Sequence, residues 1–263
     1  ISAPRSGSGK TVITLGLARA WQRAGKNVGV VKVGPDYIDP AFLSTAAKNQ
    51  CHNIDLWAMH PNTVNYIINR SVNNVDILLT EGVMGLFDGA INGSSSTADI
   101  STKLGLPVLL VIDCSGMGSS VSALAEGFAK YRSDVVLGGV ILNRVNSKRH
   151  EIILKESLDK SEIAVLGVIP ESAEIHLPSR YLGLIQAGEY DDLENTINRI
   201  ADIIISYVDI EKILKIISEV KTDEGPFLEK PIIPPLSTNI AIASDDAFTF
   251  TYPDLLDSWH NAG

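Results

Sequence analysis

The chain has 263 residues and a formal net charge of −9 at pH 7, and 45% of its residues are hydrophobic. This length suffices for one large domain, or for one domain and part of another. The negative charge argues against a nucleic-acid or anionic-membrane surface, and the lack of any apolar run approaching roughly 20 residues argues against a membrane span.

The N-terminal residues form the most informative motif, a glycine-rich turn between a strand end and a helix. Its two glycines allow backbone N–H groups to approach an anion closely, and the helix N-terminus that follows adds partial positive charge. Lys10 is predicted to reach the outer phosphates and Thr11 to hold Mg²⁺. Pro4 stands where the general pattern has glycine. The predicted ATP-binding residues of the turn are Ser6, Gly7, Ser8, Gly9, Lys10 and Thr11.

Short apolar runs alternate with amphipathic segments along most of the chain. Apolar runs of this length suit buried parallel strands, and helical spacing between them predicts helices. We therefore predict an α/β fold of the P-loop NTPase type, a mostly parallel sheet with helices on both faces and ligands at the carboxyl ends of the strands. The predicted strands are Val28–Val33, Val75–Thr80, Pro107–Asp113, Val135–Asn143 and Ala164–Ile169. The predicted helices are Thr11–Ala24, Pro61–Arg70, Ser96–Leu104, Ser119–Tyr131, Lys148–Leu158 and Asp192–Val220.

The loop after the first predicted strand reads Gly-Pro-Asp-Tyr-Ile-Asp-Pro over residues 34–40. Two carboxylates beside a triphosphate are costly unless a cation lies between them. We interpret Asp36 as a catalytic Mg²⁺ ligand, direct or through water, and assign Tyr37 and Asp39 to the substrate side. The alternative is an aspartate turn flanked by prolines.

The next predicted strand runs into Glu-Gly-Val-Met-Gly-Leu-Phe-Asp-Gly over residues 81–89. Glu81 stands where P-loop enzymes carry an acid linked to the metal, and we predict it as a Mg²⁺ ligand that acts with Lys10 in phosphoryl transfer. Asp88 is predicted as a further catalytic acid. The alternatives are a strand end that faces solvent for Glu81 and a turn residue for Asp88.

Two later positions complete the candidate site. Asn143 ends a predicted strand, where its amide is expected to bind a purine edge unless it only forms a turn. Arg180 is predicted to grip substrate carboxylates or phosphate, with a solvated surface arginine as the alternative. Asp113 receives no definite role. The cysteines, Cys51 and Cys114, lack metal or disulfide spacing and are expected to serve in packing in a reducing, cytoplasmic compartment.

The composition changes near residue 222. Four prolines exclude regular helix from residues 222–238, which predicts a linker after a first domain of residues 1–221. Asn239–Ser244 is a strand-like run, so residues 239–263 are predicted to begin a second α/β domain. We expect that this second domain is truncated and that a few residues before Ser2 are missing.

In this order, the motifs resemble those of the cobyrinic acid a,c-diamide synthases. The resemblance rests on SGSGKT, GPDYIDP, residues 53–59, EGVMGLFDG, Asn143-Arg144 and SRYLGL, and it covers nearly the whole chain. It implies a dethiobiotin-synthetase-like fold and an ATP- and Mg²⁺-dependent ligase that amidates two carboxylates of cobyrinate through an acyl phosphate. Residues 239–263 resemble the start of that family's glutaminase domain. The resemblance therefore implies that ammonia comes from glutamine through that domain, and that this chain alone uses free ammonia.

The implied partners are a tetrapyrrole substrate and a glutaminase domain or subunit, without nucleic acid or membrane, and a homodimer is left open. Arg5 departs from the signature lysine of partition ATPases, and Tyr181 departs from the histidine of an RHLGL-like loop. Three alternatives remain at this point: the same amidation on nickel-sirohydrochlorin, a partition-type ATPase switch that dimerises on ATP, and a nucleotide-binding module without chemistry.

Overall fold

A computed structural model describes residues 1–91, 93–172, 177, 186–217, 220–221, 233–245 and 247–262. Its strands are β1 (Val28–Val33), β2 (Cys51–Ile54), β3 (Ile77–Glu81), β4 (Val108–Asp113), β5 (Leu137–Val145) and β6 (Val165–Pro170). Its helices are α1 (Lys10–Arg23), α2 (Asp39–Ala47), α3 (Pro61–Val72), α4 (Thr97–Leu104), α5 (Ser120–Tyr131), α6 (Lys148–Asp159), α7 (Leu193–Tyr207), α8 (Ile210–Leu214) and α9 (Pro253–Asn261). None of these described helices combines the length and the apolar character that a bilayer span requires.

The strands form two parallel sheets, in the orders β2-β1-β3 and β4-β5-β6. Residues 1–3 connect them, because Ser2 pairs in parallel with Leu110 of β4 and the Ile1 carbonyl accepts a hydrogen bond of 2.8 Å from Gly82 N, just after β3. All these pairings are parallel, so the carboxyl ends of the strands meet along one edge. The predicted parallel α/β architecture is confirmed.

Helices cover both faces of the strands. Val30 and Val111 face a core shared with α1, α2 and α7. Their neighbours Val31 and Leu110 point the opposite way, Val31 toward α3 and α4 and Leu110 toward α5 and α6. This alternation follows from the two-residue period of a strand, and it leaves the loops at the carboxyl edge free to form a site. Both cysteines are buried and free, as predicted.

The structure differs from the sequence predictions in three ways. Helix α2 and strand β2 were not predicted, although Pro40 in the first turn of α2 is a helix-start signal. The predicted single helix Asp192–Val220 is wrong. The observed helix α7 ends at Tyr207, because the next residue, Val208, is extended and pairs with Gly167 of β6. A separate helix, α8, follows.

The third difference lies in the C-terminal region. The predicted strand Asn239–Ser244 is wrong, since these residues are mostly exposed and have no strand assignment. An extended apolar run becomes a strand only when a neighbouring strand takes up its backbone hydrogen bonds. Most of the predicted linker lies outside the described residues, so the domain boundaries stay predictions.

Candidate functional site

The N-terminal glycine-rich turn adopts a conformation that requires its glycines. Gly7 has φ 77° and Gly9 has φ 97°, values that residues with a Cβ rarely adopt. The Ser8 hydroxyl donates to the Arg5 carbonyl at 3.0 Å, which closes the turn. Gly9 directly precedes α1 and brings no side chain to cap it, so the first N–H groups of α1 are available to an anion.

Asn143, at the carboxyl end of β5, braces this turn. Its Nδ2 donates to the Ser8 carbonyl at 2.9 Å, and its Oδ1 accepts from Arg144 N at 3.0 Å. A Cβ on Gly9 would overlap the Asn143 amide nitrogen, so glycine is required there by packing as well as by φ. The purine contact expected from the sequence stays a prediction, while the observed bonds give Asn143 a role in shaping the turn.

Lys10 links the turn to the loop after β3. Its Nζ donates to the Met84 carbonyl at 2.6 Å, and Met84 presents that carbonyl from a left-handed conformation with φ 47°. Asp88 shapes the same loop by accepting from Gly85 N at 2.8 Å, as the turn alternative proposed. Burial lowers the pKa of Lys10, against the opposing effect of Glu81.

Thr11 lies beside two carboxylates at the carboxyl edge of the sheet. Its Oγ1 is 2.7 Å from Glu81 Oε1 and 3.2 Å from Asp39 Oδ2. Glu81 is fully buried. The sequence analysis assigned Asp39 to the substrate side and expected Asp36 beside Thr11 and Glu81. The structure instead places Asp39 next to Thr11.

Lys32 is the functional candidate that the sequence reasoning missed. Its Nζ lies 2.5 Å from Asp39 Oδ2, 2.9 Å from Glu81 Oε1 and 3.7 Å from Asp36 Oδ2. Burial alone would lower the pKa of Lys32, but Glu81 and Asp39 raise it above its usual value. The sequence contained an indication of this role, since Lys32 lies inside an apolar predicted strand. A lysine there is rarely buried without a charged partner.

Asp36 lies at the edge of this cluster and shapes the loop. Its Oδ1 accepts from the backbone N–H groups of Ile38 at 2.8 Å and Asp39 at 3.1 Å. Asn53, also missed, holds the other side of the loop, because its Nδ2 donates to the carbonyls of Gly34 and Asp36. Asp36 thus forms an aspartate turn, which was the alternative interpretation of this residue, while its Oδ2 faces Lys32.

The donor set fits a magnesium ion that is shared with phosphates. Glu81 Oε2 is buried without a hydrogen-bond partner, which is costly for a carboxylate oxygen and would be relieved by a cation or its water. Within the described ranges, no three His, Cys, Asp or Glu side chains converge as a metal cluster. Mg²⁺ typically takes one or two carboxylates together with substrate phosphates, so these residues can hold it when a nucleotide is bound.

A cavity of about 490 Å³ opens next to the carboxylates. Residues 35–39 line it together with Val83 and Phe250. Tyr37, predicted on the substrate side, stacks on Tyr252 with ring centroids 4.5 Å apart and on Phe250 at 5.2 Å. Arg180, the other predicted substrate residue, lies outside the described residues.

Asp113 and Arg5 form a separate polar group beside the turn. Asp113 Oδ2 lies 2.6 Å from Arg144 Nη1 and 3.4 Å from Arg5 Nη2. Burial would raise the pKa of Asp113, but hydrogen bonds from Ser115 and the nearby Arg144 hold it below its usual value. Arg5 therefore has a partner within its own chain, and Asp113 has a structural role.

A glycine-rich turn that leads into a helix, with a lysine and a threonine facing a strand-end acid, defines a P-loop nucleotide-binding domain. The family model CbiA, described as the CobQ/CobB/MinD/ParA nucleotide binding domain, matches residues 1–185. The chain belongs to this family.

Curated relatives match the whole chain. Hydrogenobyrinate a,c-diamide synthase of Brucella anthropi is 44% identical over 264 residues, which are 100% of this chain and 60% of the relative. The enzyme of the same name from Rhizobium meliloti is 43% identical with the same coverage. The predicted resemblance is confirmed, and the chain spans about 60% of the length of these relatives. Among solved structures, the MinD cell division protein of Aquifex aeolicus is similar with a TM-score of 0.48 and 16% identity, over 84% of this chain and 98% of that chain.

Proposed function

We propose that the chain is the ATP-dependent synthetase part of an a,c-diamide synthase, which amidates the a and c carboxylates of a hydrogenobyrinate-type corrinoid. One observation carries the proposal. Asp39 lies 3.2 Å from Thr11 of the phosphate-binding turn and also lines the 490 Å³ cavity, so a nucleotide and an acceptor would meet at this residue. The names of the relatives support hydrogenobyrinate as the acceptor.

On the nucleotide side, the N–H groups of the turn and the start of α1 bind the phosphates of ATP. Lys10 would exchange the Met84 carbonyl for the outer phosphates. Thr11, Glu81 and Asp39 would hold Mg²⁺, with Asp36 as a further ligand through water, and the ion would supply positive charge against the phosphates. Lys32 offsets part of the carboxylate charge that would otherwise repel an acidic acceptor.

In the reaction, an acceptor carboxylate oxygen attacks the γ-phosphorus of ATP and ADP leaves. Ammonia then attacks the acyl carbon, phosphate leaves with that carboxylate oxygen, and the nitrogen loses a proton. The chain positions the two reactants and stabilises charge with Lys10 and Lys32. Asp88 is the proposed acidic group of the loop after β3, and Tyr37 and Arg180 are the proposed acceptor contacts.

We further propose that, in the longer protein, ammonia comes from glutamine through a glutaminase domain. We assign residues 1–221 to the synthetase, 222–238 to the linker and 239–263 to the start of that glutaminase domain. Free ammonia can replace glutamine in an assay, so a test of the synthetase chemistry does not depend on the second domain.

The test is product formation. The 263-residue chain is incubated with MgATP, ammonium chloride and hydrogenobyrinate, with cobyrinate and nickel-sirohydrochlorin in parallel, and mass spectrometry follows the acceptors. We expect the a,c-diamide and one ADP for each amide formed. ATP hydrolysis with none of the three acceptors amidated would contradict the proposal, and ATP-dependent dimers without product would favour a nucleotide switch.

A further inference from the structure

The cavity beside the carboxylates is built from distant parts of the sequence. Residues 35–39 follow β1, Val83 follows β3, and Phe250 precedes α9. Phe250 is thus the contribution of the C-terminal segment to the candidate acceptor pocket. None of the motifs that carry the nucleotide chemistry includes it.

Contacts on both sides hold the C-terminal segment in this position. Before the aromatic pair, Thr249 Oγ1 donates to Gln186 Oε1 at 2.5 Å. After it, Asp257 of α9 forms an ion pair of 2.7 Å with Arg70 of α3. Phe250 therefore lies between two residues that contact the rest of the chain, Thr249 and Asp257.

The aromatic rings next to the cavity stack on one another and remain partly exposed. Tyr37 stacks on both Phe250 and Tyr252, with interplanar angles of 23° and 26°. Phe250 keeps 51% of its surface exposed and Tyr37 keeps 41%. Aromatic rings exposed beside a mostly apolar cavity suit a planar, conjugated ligand, because offset stacking adds to the gain from burying the ring surface.

The same cavity can accept acidic side arms. Asp36 and Asp39 line it, and Lys32 Nζ, which lies 3.7 Å and 2.5 Å from their carboxylates, offsets part of their negative charge. A ligand with a flat face and carboxylate arms therefore meets the exposed Tyr37 and Phe250 rings and, behind Asp36 and Asp39, the ammonium group of Lys32.

We propose that Phe250, supported by the Tyr37 and Tyr252 rings, is a specificity-determining wall of the acceptor site that stacks against the flat macrocycle of the tetrapyrrole. The inference rests on the proposed function and deepens it. It means that the C-terminal segment, and not the P-loop domain alone, selects the acceptor.

The test measures ammonia-dependent amidation of hydrogenobyrinate by wild type and by Phe250→Ala, Phe250→Leu and Phe250→Tyr. We expect Phe250→Ala and Phe250→Leu to raise the acceptor KM about tenfold, with kcat and the KM for ATP unchanged, and Phe250→Tyr to restore the wild-type KM. Phe250→Leu keeps apolar bulk without the ring, so it separates stacking from packing. Phe248→Ala is the matched control, because Phe248 is 59% exposed and does not line the cavity.

The outcomes separate the two proposals. A wild-type chain that amidates none of the three acceptors refutes the proposed function and this inference with it. An active wild type with an unchanged acceptor KM in Phe250→Ala overturns the aromatic wall alone. Equal increases in the KM for ATP and for the acceptor, or a Phe250→Tyr variant as impaired as Phe250→Ala, also overturn it, because they indicate a general structural role.

Discussion

The two sides of the candidate site are built on different principles. On the nucleotide side, Lys32 and Glu81 are buried at the carboxyl ends of neighbouring strands and are paired with each other. On the acceptor side, Tyr37 and Phe250 are exposed to about half of their surface and meet across almost the whole chain. The proposed phosphate-binding residues thus belong to the folded core, whereas the proposed acceptor pocket depends on how the C-terminal segment packs against residues 35–39.

Removing the buried Lys32 ammonium group tests this difference between the two sides most strongly. Lys32→Met is expected to lower the free energy of unfolding by about 3–5 kcal/mol, because it leaves the fully buried Glu81 and the partly buried Asp39 without their positive partner. Urea denaturation measures the change. Lys26→Met is the matched control, since Lys26 is exposed and its replacement is expected to change stability by less than about 0.5 kcal/mol.

A double variant separates charge from packing. Lys32→Met combined with Glu81→Gln is expected to recover part of the lost stability, because one of the two unpaired carboxylates is then neutral. If Lys32→Met changes the free energy of unfolding as little as Lys26→Met does, the ion cluster around Lys32 does not stabilise the core. The proposed difference between the two sides is then wrong.

The next largest effect is expected on activity. Lys10→Ala is predicted to lower ammonia-dependent amidation by about 100-fold or more, because the charge that stabilises the transferred phosphoryl group is lost. The rate of ADP release under saturating acceptor measures it. Lys26→Ala, which removes an exposed lysine, is expected to keep the wild-type rate, and comparable rates in both variants would place phosphoryl transfer elsewhere.

A smaller effect distinguishes two roles for Asn143. If it acts by bracing Ser8, Asn143→Ala weakens ATP and GTP binding alike, by about five- to tenfold for one lost hydrogen bond. Calorimetry with both nucleotides measures the change. A loss confined to ATP would show that the amide reads the purine, as the sequence suggested.

The smallest expected effect is a pH-dependent loss of stability near the turn. Because the pKa of Asp113 is held below 3.8 in the folded chain, its contribution, about 1 kcal/mol for a buried hydrogen-bonded group, is fully present above that pH and is lost as the pH falls through the folded value. Urea denaturation of wild type and Asp113→Asn across this range is expected to give curves that differ at neutral pH and converge in acid. A difference that stays constant with pH would contradict this.

The nucleotide side could be predicted from the sequence because its information is local. The turn, Lys10, Thr11 and the strand-end Glu81 each follow from a few adjacent residues, and the structure brings Thr11 and Glu81 within 2.7 Å. Lys32 was missed although its signal, a charge inside the apolar run Val28–Val33, was present. It became informative only when the register of β1 beside β3 placed Lys32 opposite Glu81.

The acceptor side could not be predicted in the same way. The sequence marked Asp36 and Asp39 as candidates, but which of them faces Thr11 depends on the start of α2 at Asp39. Phe250 lies in a region predicted only as the start of another domain, and its contact with Tyr37 leaves no pattern in either segment. Long-range docking of this kind is decided by packing and not by local propensity.

The most direct test of the account asks whether the two sides form one reaction site. Hydrogenobyrinate with ¹⁸O in its a and c carboxylates is incubated with the chain, MgATP and ammonia, and the released phosphate is analysed by mass spectrometry. Attack of the acceptor carboxylate on the γ-phosphorus predicts one ¹⁸O in phosphate for each amide formed. Diamide product with unlabelled phosphate would contradict the account, because ATP would then be cleaved without the acceptor carboxylate.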